Sequence, residues 1–350
     1  MSFDLSRRTT LAAVLGSVAL GGTRLAAAPN DHTSPQGSKP ITGSGKIDTH
    51  QHFLPKVYVD AVGLETLASV MPNRRAPEWS ETGALAMMDA RGIAKGVISI
   101  SSGPVIPDAP NVLRKCNDEG AAIGVRHKGR FGLFASLPLP DIDASLKELA
   151  YALDTLKAEG VILFTNYGGK YLGDPAFRPL LEELNRRSGV AFLHPNEPNY
   201  HLVGQPPESV LEFPFDTTRT AASLIFSGAM KAFPNIRFIL SHAGGTLPFL
   251  SQRLAGAVML NPGLEEKIGD PNAAIRQFWF DTALSMSKPA MAALMAVADP
   301  TKIVFGTDFP MAPPFAITMS VDGLAAMPID EASRNAISYN NAERLLSIKA

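Results

Sequence analysis

Cysteine is almost absent: Cys116 stands alone in 350 residues, which excludes an internal disulfide and any metal site built from several thiolates. Neither sign of charge dominates. Thirty-two Lys and Arg face 33 Asp and Glu, for a formal net charge of −1, so no basic field exists to draw nucleic acid or an anionic membrane surface. No GxGxxG or P-loop segment occurs, which removes the usual cradles for nucleotide phosphates. Glycine (29) and proline (28) are plentiful and scattered between short apolar runs. That pattern reads as many loops joining many short elements, with small molecules as the expected partners.

The first 28 residues have a different layout. Arg7 and Arg8 precede an apolar stretch from Leu11 to Leu20, which is followed by Ala26, Ala27 and Ala28. A basic start, a short apolar core and a small-residue end make an export signal. The stretch is too short and too glycine-rich for a membrane span, so none is expected in the mature chain. The paired arginines resemble the twin-arginine route for folded cargo, and the expected location is the periplasm. The alternative is a cytoplasmic protein with a chance pair of arginines. Residues 29–45 read as a disordered linker, and 46–350 as one domain.

From residue 46 apolar runs alternate with stretches of helical period. The expected strands are 46–52, 96–101, 131–137, 160–166, 190–195, 237–243, 278–284 and 303–308. Between them lie amphipathic segments such as 141–158, where Leu146, Leu149, Ala150, Leu153 and Leu156 recur at helical spacing, with Asp141 at the start and Gly160 at the end. Eight such repeats predict a (β/α)8, or TIM, barrel, distorted by long insertions after strands 1 and 5. Those insertions, 53–84 and 196–215, leave the C-terminal strand ends, where barrels place their active sites, and should wall a pocket.

Four of the seven histidines, His50, His52, His194 and His242, fall at or near expected strand ends. Residues i and i+2 of a strand share a side, so His50 and His52 both face the barrel axis. Strand 8 closes beside strand 1, which brings Asp308 next to that pair, and His194 arrives from the opposite wall. Three imidazoles and one carboxylate suit a single borderline divalent cation, with Zn²⁺ expected and Mn²⁺ the alternative. Asp281 and Asp48 either orient the ligand histidines or cap strand-to-loop turns. His32 lies in the linker and His127 at the polar end of a helix, while His201, in the loop after strand 5, reads as solvent-exposed, with approach to the pocket the alternative.

The ordered segments IDTHQHFLP, FLHPN, LSHAGG and VFGTDFP resemble the amidohydrolase superfamily over residues 46–346. They are most similar to the branch containing aminocarboxymuconate-semialdehyde decarboxylase and γ-resorcylate decarboxylase. The stretch LEFPFDTTRTAASLIFSG before the SHAGG strand adds a resemblance to the 6-methylsalicylate decarboxylases. The resemblance implies His50, His52, His194 and Asp308 as ligands of one metal and His242 as acid/base. It also implies Arg253 as a substrate-carboxylate ligand donated across a homodimer. Two-metal branches carry a lysine at the end of strand 4, where this chain has GVILFTN, so a mononuclear centre follows.

No motif suggests pyridoxal phosphate or thiamine diphosphate as an electron sink. Non-oxidative decarboxylation of an aromatic or related unsaturated carboxylic acid can instead use the metal to fix a carboxylate and its neighbouring hydroxyl. His242 or Asp308 would then protonate the ring carbon. Arg253 or Arg219 would orient the carboxylate by paired hydrogen bonds. Arg219 has a second reading, a solvated residue near the start of a helix capped at Asp216. Two rival functions use the same ligands: metal-dependent hydrolysis of a lactone or amide, and an exported metal- or solute-binding protein without catalysis.

Overall fold

A computed structural model describes residues 45–347 apart from 70, 102–105, 198–203 and 205. The export signal and nearly all of the linker lie outside the described residues, as do His32 and His201. Eight parallel strands run in sequence order around one sheet: β1 Lys46–His52, β2 Ile93–Ser99, β3 Phe131–Ser136, β4 Gly160–Phe164, β5 Val190–His194, β6 Arg237–Leu240, β7 Trp279–Asp281 and β8 Ile303–Val304. The ends of the sheet meet. Thr49 N–H donates to Phe305 O (2.9 Å), Asp308 N–H to His50 O (2.8 Å) and His52 N–H to Phe309 O (2.7 Å). This is the expected (β/α)8 barrel. None of the helices among the described residues is long and apolar enough to cross a membrane.

Each strand feeds a helix on the outside, from Glu81–Arg91 after β1 to Pro314–Ala326 after β8. Two layers of apolar side chains follow from that arrangement. Ile47, Val97, Phe134, Ile162, Ile239 and Val304 meet inside the barrel, and Ala342 and Leu345 of the helix Asn341–Ser347 close its lower end. The larger layer lies between strands and helices, with residues such as Phe238, Phe280, Leu224 and Leu180. Burying these side chains contributes roughly 25 cal/mol per Å2 of apolar surface.

One irregularity positions the site. β1 pairs Asp48 with Gly96 but Gln51 with Ile98, so three steps on one strand match two on the other. The extra residue is a β-bulge, and it reverses the inward–outward alternation. Ile47 belongs to the interior cluster, while Gln51 packs against Gly96 on the other side of the sheet. His50 and His52 therefore both point inward, above the plug of apolar residues.

Several expectations need correction. The helix expected over 141–158 spans Ile142–Asp154. Asp141 caps it by accepting from Ala144 N–H (3.0 Å), but Gly160 opens β4 instead of ending the helix. The strands expected to run to 243, 284 and 308 stop at Leu240, Asp281 and Val304, because left-handed residues follow: His242, Ala243, Leu284 and Asp308 all have φ between 54° and 64°. Asp216 caps no helix. The helix runs Glu212–Phe226, and Asp216 lies buried within it. The helix Leu247–Leu260 buries Leu247 and Pro248, while Phe249 is 83% exposed.

Candidate metal centre and active-site chamber

The three histidines are oriented one by one. His50 Nδ1 donates to Asp281 Oδ2 at 2.8 Å. Ser99 Oγ donates its own proton to Gln51 O and lies 3.2 Å from His52 Nδ1, whose N–H can donate to it. His194 Nδ1 lies 3.0 Å from Pro195 O. With each Nδ1 engaged, each ring turns its Nε2 toward the shared centre, the orientation a metal site requires. The ligand atoms of His50, His52, His194 and Asp308 all lie within 4.8 Å of one another. His50 Nε2 is 3.1 Å from His52 Nε2, and Asp308 Oδ1 is 3.3 Å and 3.1 Å from these two nitrogens. Yet Asp308 Oδ1 is buried and forms no hydrogen bond among the described residues. Three imidazole nitrogens and a carboxylate oxygen converging at such separations fit the coordination edges of one divalent cation.

The electrostatics agree. Burial pushes the His50 pKa down, but the Asp281 and Asp308 carboxylates outweigh it and lift the value to about 10. Burial lowers His52, and burial with the neighbouring imidazoles holds His194 well below the usual histidine range. Burial would raise Asp308, but the His50 charge and the surrounding imidazoles hold it well below the usual carboxylate range. The pocket favours one positive charge at its centre.

Asp48 and Asp281 act on backbone as well as side chains. Asp48 accepts from His50 N–H (3.1 Å), Gln51 Nε2 (2.8 Å), Thr307 N–H (3.0 Å) and Thr307 Oγ1 (2.6 Å). It thus ties β1 to the turn that carries Asp308. Burial lifts its pKa to about 6, despite these donors. Asp281 Oδ1 accepts from His242 N–H at 3.0 Å, so one carboxylate sets both His50 and His242. The His242 ring stands 5.0 Å from the His50 ring and 6.0 Å from His194, centroid to centroid. Its Nε2 lies 3.6 Å from Asp308 Oδ2, and among the described residues neither ring nitrogen has a hydrogen-bond partner.

A family model described as amidohydrolase matches residues 47–348. The chain belongs to the amidohydrolase family. It is 37% identical to 6-methylsalicylic acid decarboxylase of Penicillium expansum over 315 residues, covering 86% of this chain and 95% of that protein. It is 27% identical to γ-resorcylate decarboxylase of Rhizobium radiobacter over 336 residues, covering 87% and 98%. Among solved structures it resembles 2,6-dihydroxybenzoate decarboxylase from Rhizobium, with a TM-score of 0.72, 25% identity and coverage of 88% and 100%.

In this amidohydrolase a chamber of about 350 Å3 opens over the cluster, bordered by His194, His242 and Asp308. Both long connections wall it, as expected: Met71 and Pro72 come from the first, Ser209, Val210, Phe213 and Pro214 from the second. Arg219 and Arg253 are not among its lining residues. Arg219 is 38% exposed at its side chain and lies 3.5 Å from Glu212. Arg253 is exposed on the helix Leu247–Leu260. His127 pairs with Glu81 at 2.6 Å, far in sequence from the cluster. Sequence reasoning missed Ser99, Thr307 and Ser209, the last a buried hydroxyl of the chamber without a hydrogen-bond partner among the described residues. A lone serine or threonine in a strand or loop carries no signal of its own.

Proposed function

We propose that this protein is a metal-dependent, non-oxidative decarboxylase of a small hydroxylated aromatic acid, with 6-methylsalicylate or a close analogue as substrate. The observation that carries the reading is the His242 ring, without a hydrogen-bond partner among the described residues at either nitrogen and bordering a chamber over a three-histidine, one-aspartate cluster. The name of the Penicillium expansum relative supports the substrate class. Zn²⁺ suits three imidazole nitrogens and one carboxylate, and Mn²⁺ is the competing ion.

A bound divalent cation supplies positive charge that can fix a carboxylate and the hydroxyl beside it. His242 supplies a proton to the ring carbon that bears the carboxylate. The carbon–carbon bond then breaks, its electrons return to the ring, and carbon dioxide leaves with aromaticity restored. Asp308 is the poorer acid, since its neighbours hold it ionised. Ser209 Oγ is placed to hydrogen-bond a polar substituent of the ring. Met71, Val210, Phe213 and Leu284 offer apolar contact to the rest.

Turnover of 6-methylsalicylate in D2O tests this reading. It should give 3-methylphenol and carbon dioxide in equal amounts, with one deuterium on the carbon that lost the carboxylate. Hydrolysis of lactones or amides without carbon dioxide release would favour the hydrolase reading, and metal binding without turnover the binding-protein reading.

A further inference from the structure

Asp216 lies on the helix Glu212–Phe226, outside the barrel, and is fully buried. No cation pairs with it among the described contacts. Instead three donors from the β4 side converge on it: Thr165 Oγ1, Asn166 Nδ2 (2.8 Å) and Tyr171 OH (2.7 Å). A buried carboxylate that gathers three hydroxyl and amide donors is a costly arrangement unless it organises something.

What it organises is one peptide plane. Thr165 spends its hydroxyl proton on Asp216, which leaves an oxygen lone pair to accept from Asn196 N–H at 2.9 Å. The same peptide unit carries the Pro195 carbonyl, and that oxygen accepts from His194 Nδ1 at 3.0 Å. Thr165 N–H donates to His194 O at 3.0 Å, locking the β4 and β5 ends together. Turning this peptide would move the acceptor of His194 Nδ1, and with it the direction of Nε2.

We propose that Asp216 and Thr165 form a relay that positions His194 toward the metal, by holding the Pro195–Asn196 peptide in the orientation that fixes the imidazole tautomer and ring plane. The inference rests on the metal-site reading above. Asp281 and Ser99 hold His50 and His52 directly, whereas His194 is held through a backbone carbonyl that needs its own anchor. The anchor comes from a helix beyond the barrel wall.

The test compares full-length wild type with Thr165→Val, Thr165→Ser and Asp216→Asn. For each, retention of Zn²⁺ against increasing chelator is measured together with the melting temperature of the chelated protein. Valine matches threonine in shape but lacks the acceptor. Thr165→Val should therefore lose the ion at about 10- to 100-fold lower chelator, the usual effect of removing a group behind a metal ligand. Thr165→Ser keeps Oγ and should recover most of the affinity. Asp216→Asn should weaken retention in the same direction. If Asp216→Asn fails to fold, the Thr165 pair still decides. Normal retention in Thr165→Val, with only a lower melting temperature, would reduce the network to a structural one and overturn the relay. If the wild type itself binds no ion, the metal-site reading fails first, and the two failures are distinguishable.

Discussion

At the scale of single residues the site is a set of protonation states fixed by neighbours. His50 is lifted to about 10 by Asp281 and Asp308 acting against burial, while His52 and His194 are held low. At pH 7 the metal-free cluster therefore carries a proton on His50 alone, because a raised pKa keeps the proton until the pH passes about 10. Metal uptake at pH 7 should release about one proton per ion, and affinity should rise with pH up to that value. Proton release in weakly buffered indicator dye checks this, and uptake with none released would contradict it. His242 has a different task. His242→Ala should retain the metal and lose roughly 10²- to 10⁴-fold in turnover, the range for a positioned acid or base. Metal loss in that variant, measured by elemental analysis, would make His242 a ligand instead.

At the scale of elements, turns and bulges decide what the strands can present. After β6 four consecutive residues, His242 to Gly245, have positive φ, a sparsely populated run that costs about 1–3 kcal/mol for each non-glycine member. Gly245 has φ 63°, and an added methyl would sit 2.0 Å from the Pro214 carbonyl oxygen. Gly245→Ala should lower stability by about 1–3 kcal/mol, read as a shift in the urea midpoint. An unchanged midpoint would mean that the turn is not strained. Much of this level was legible in the sequence. The eight apolar runs gave the strands, and the HxH spacing gave a pair of histidines on one face. The bulge that turns this face inward was not legible, because it appears only in the register against β2. Asp216 was misread for a similar reason. Its three partners lie 45 to 51 residues away, and a buried acceptor of distant donors looks locally like a helix cap. The helix starts earlier, at Glu212, without a side-chain cap, so tertiary packing sets its first turn.

For the whole molecule, no arginine or lysine is among the described residues that line the chamber. The helix Leu247–Leu260 carries Arg253 and also Phe249, Met259 and Leu260, exposed by 83%, 85% and 89%. Large apolar side chains so exposed on one helix suit an interface, and we propose a homodimer in which Arg253 serves the chamber of a second copy. Phe249→Asp should then shift the protein toward monomer in light scattering. Mixing Arg253→Ala with His50→Ala chains should recover part of the activity, because one site regains both metal and arginine. A fully active monomer would leave Arg253 a surface residue. The central claim concerns one ion and one reaction. Chelated protein, titrated with Zn²⁺ or Mn²⁺ while carbon dioxide release from 6-methylsalicylate is followed, tests it most directly. The account predicts no release without metal and a rise that saturates at one ion per chain. Undiminished release after chelation, or a fully loaded protein that releases none, would contradict it.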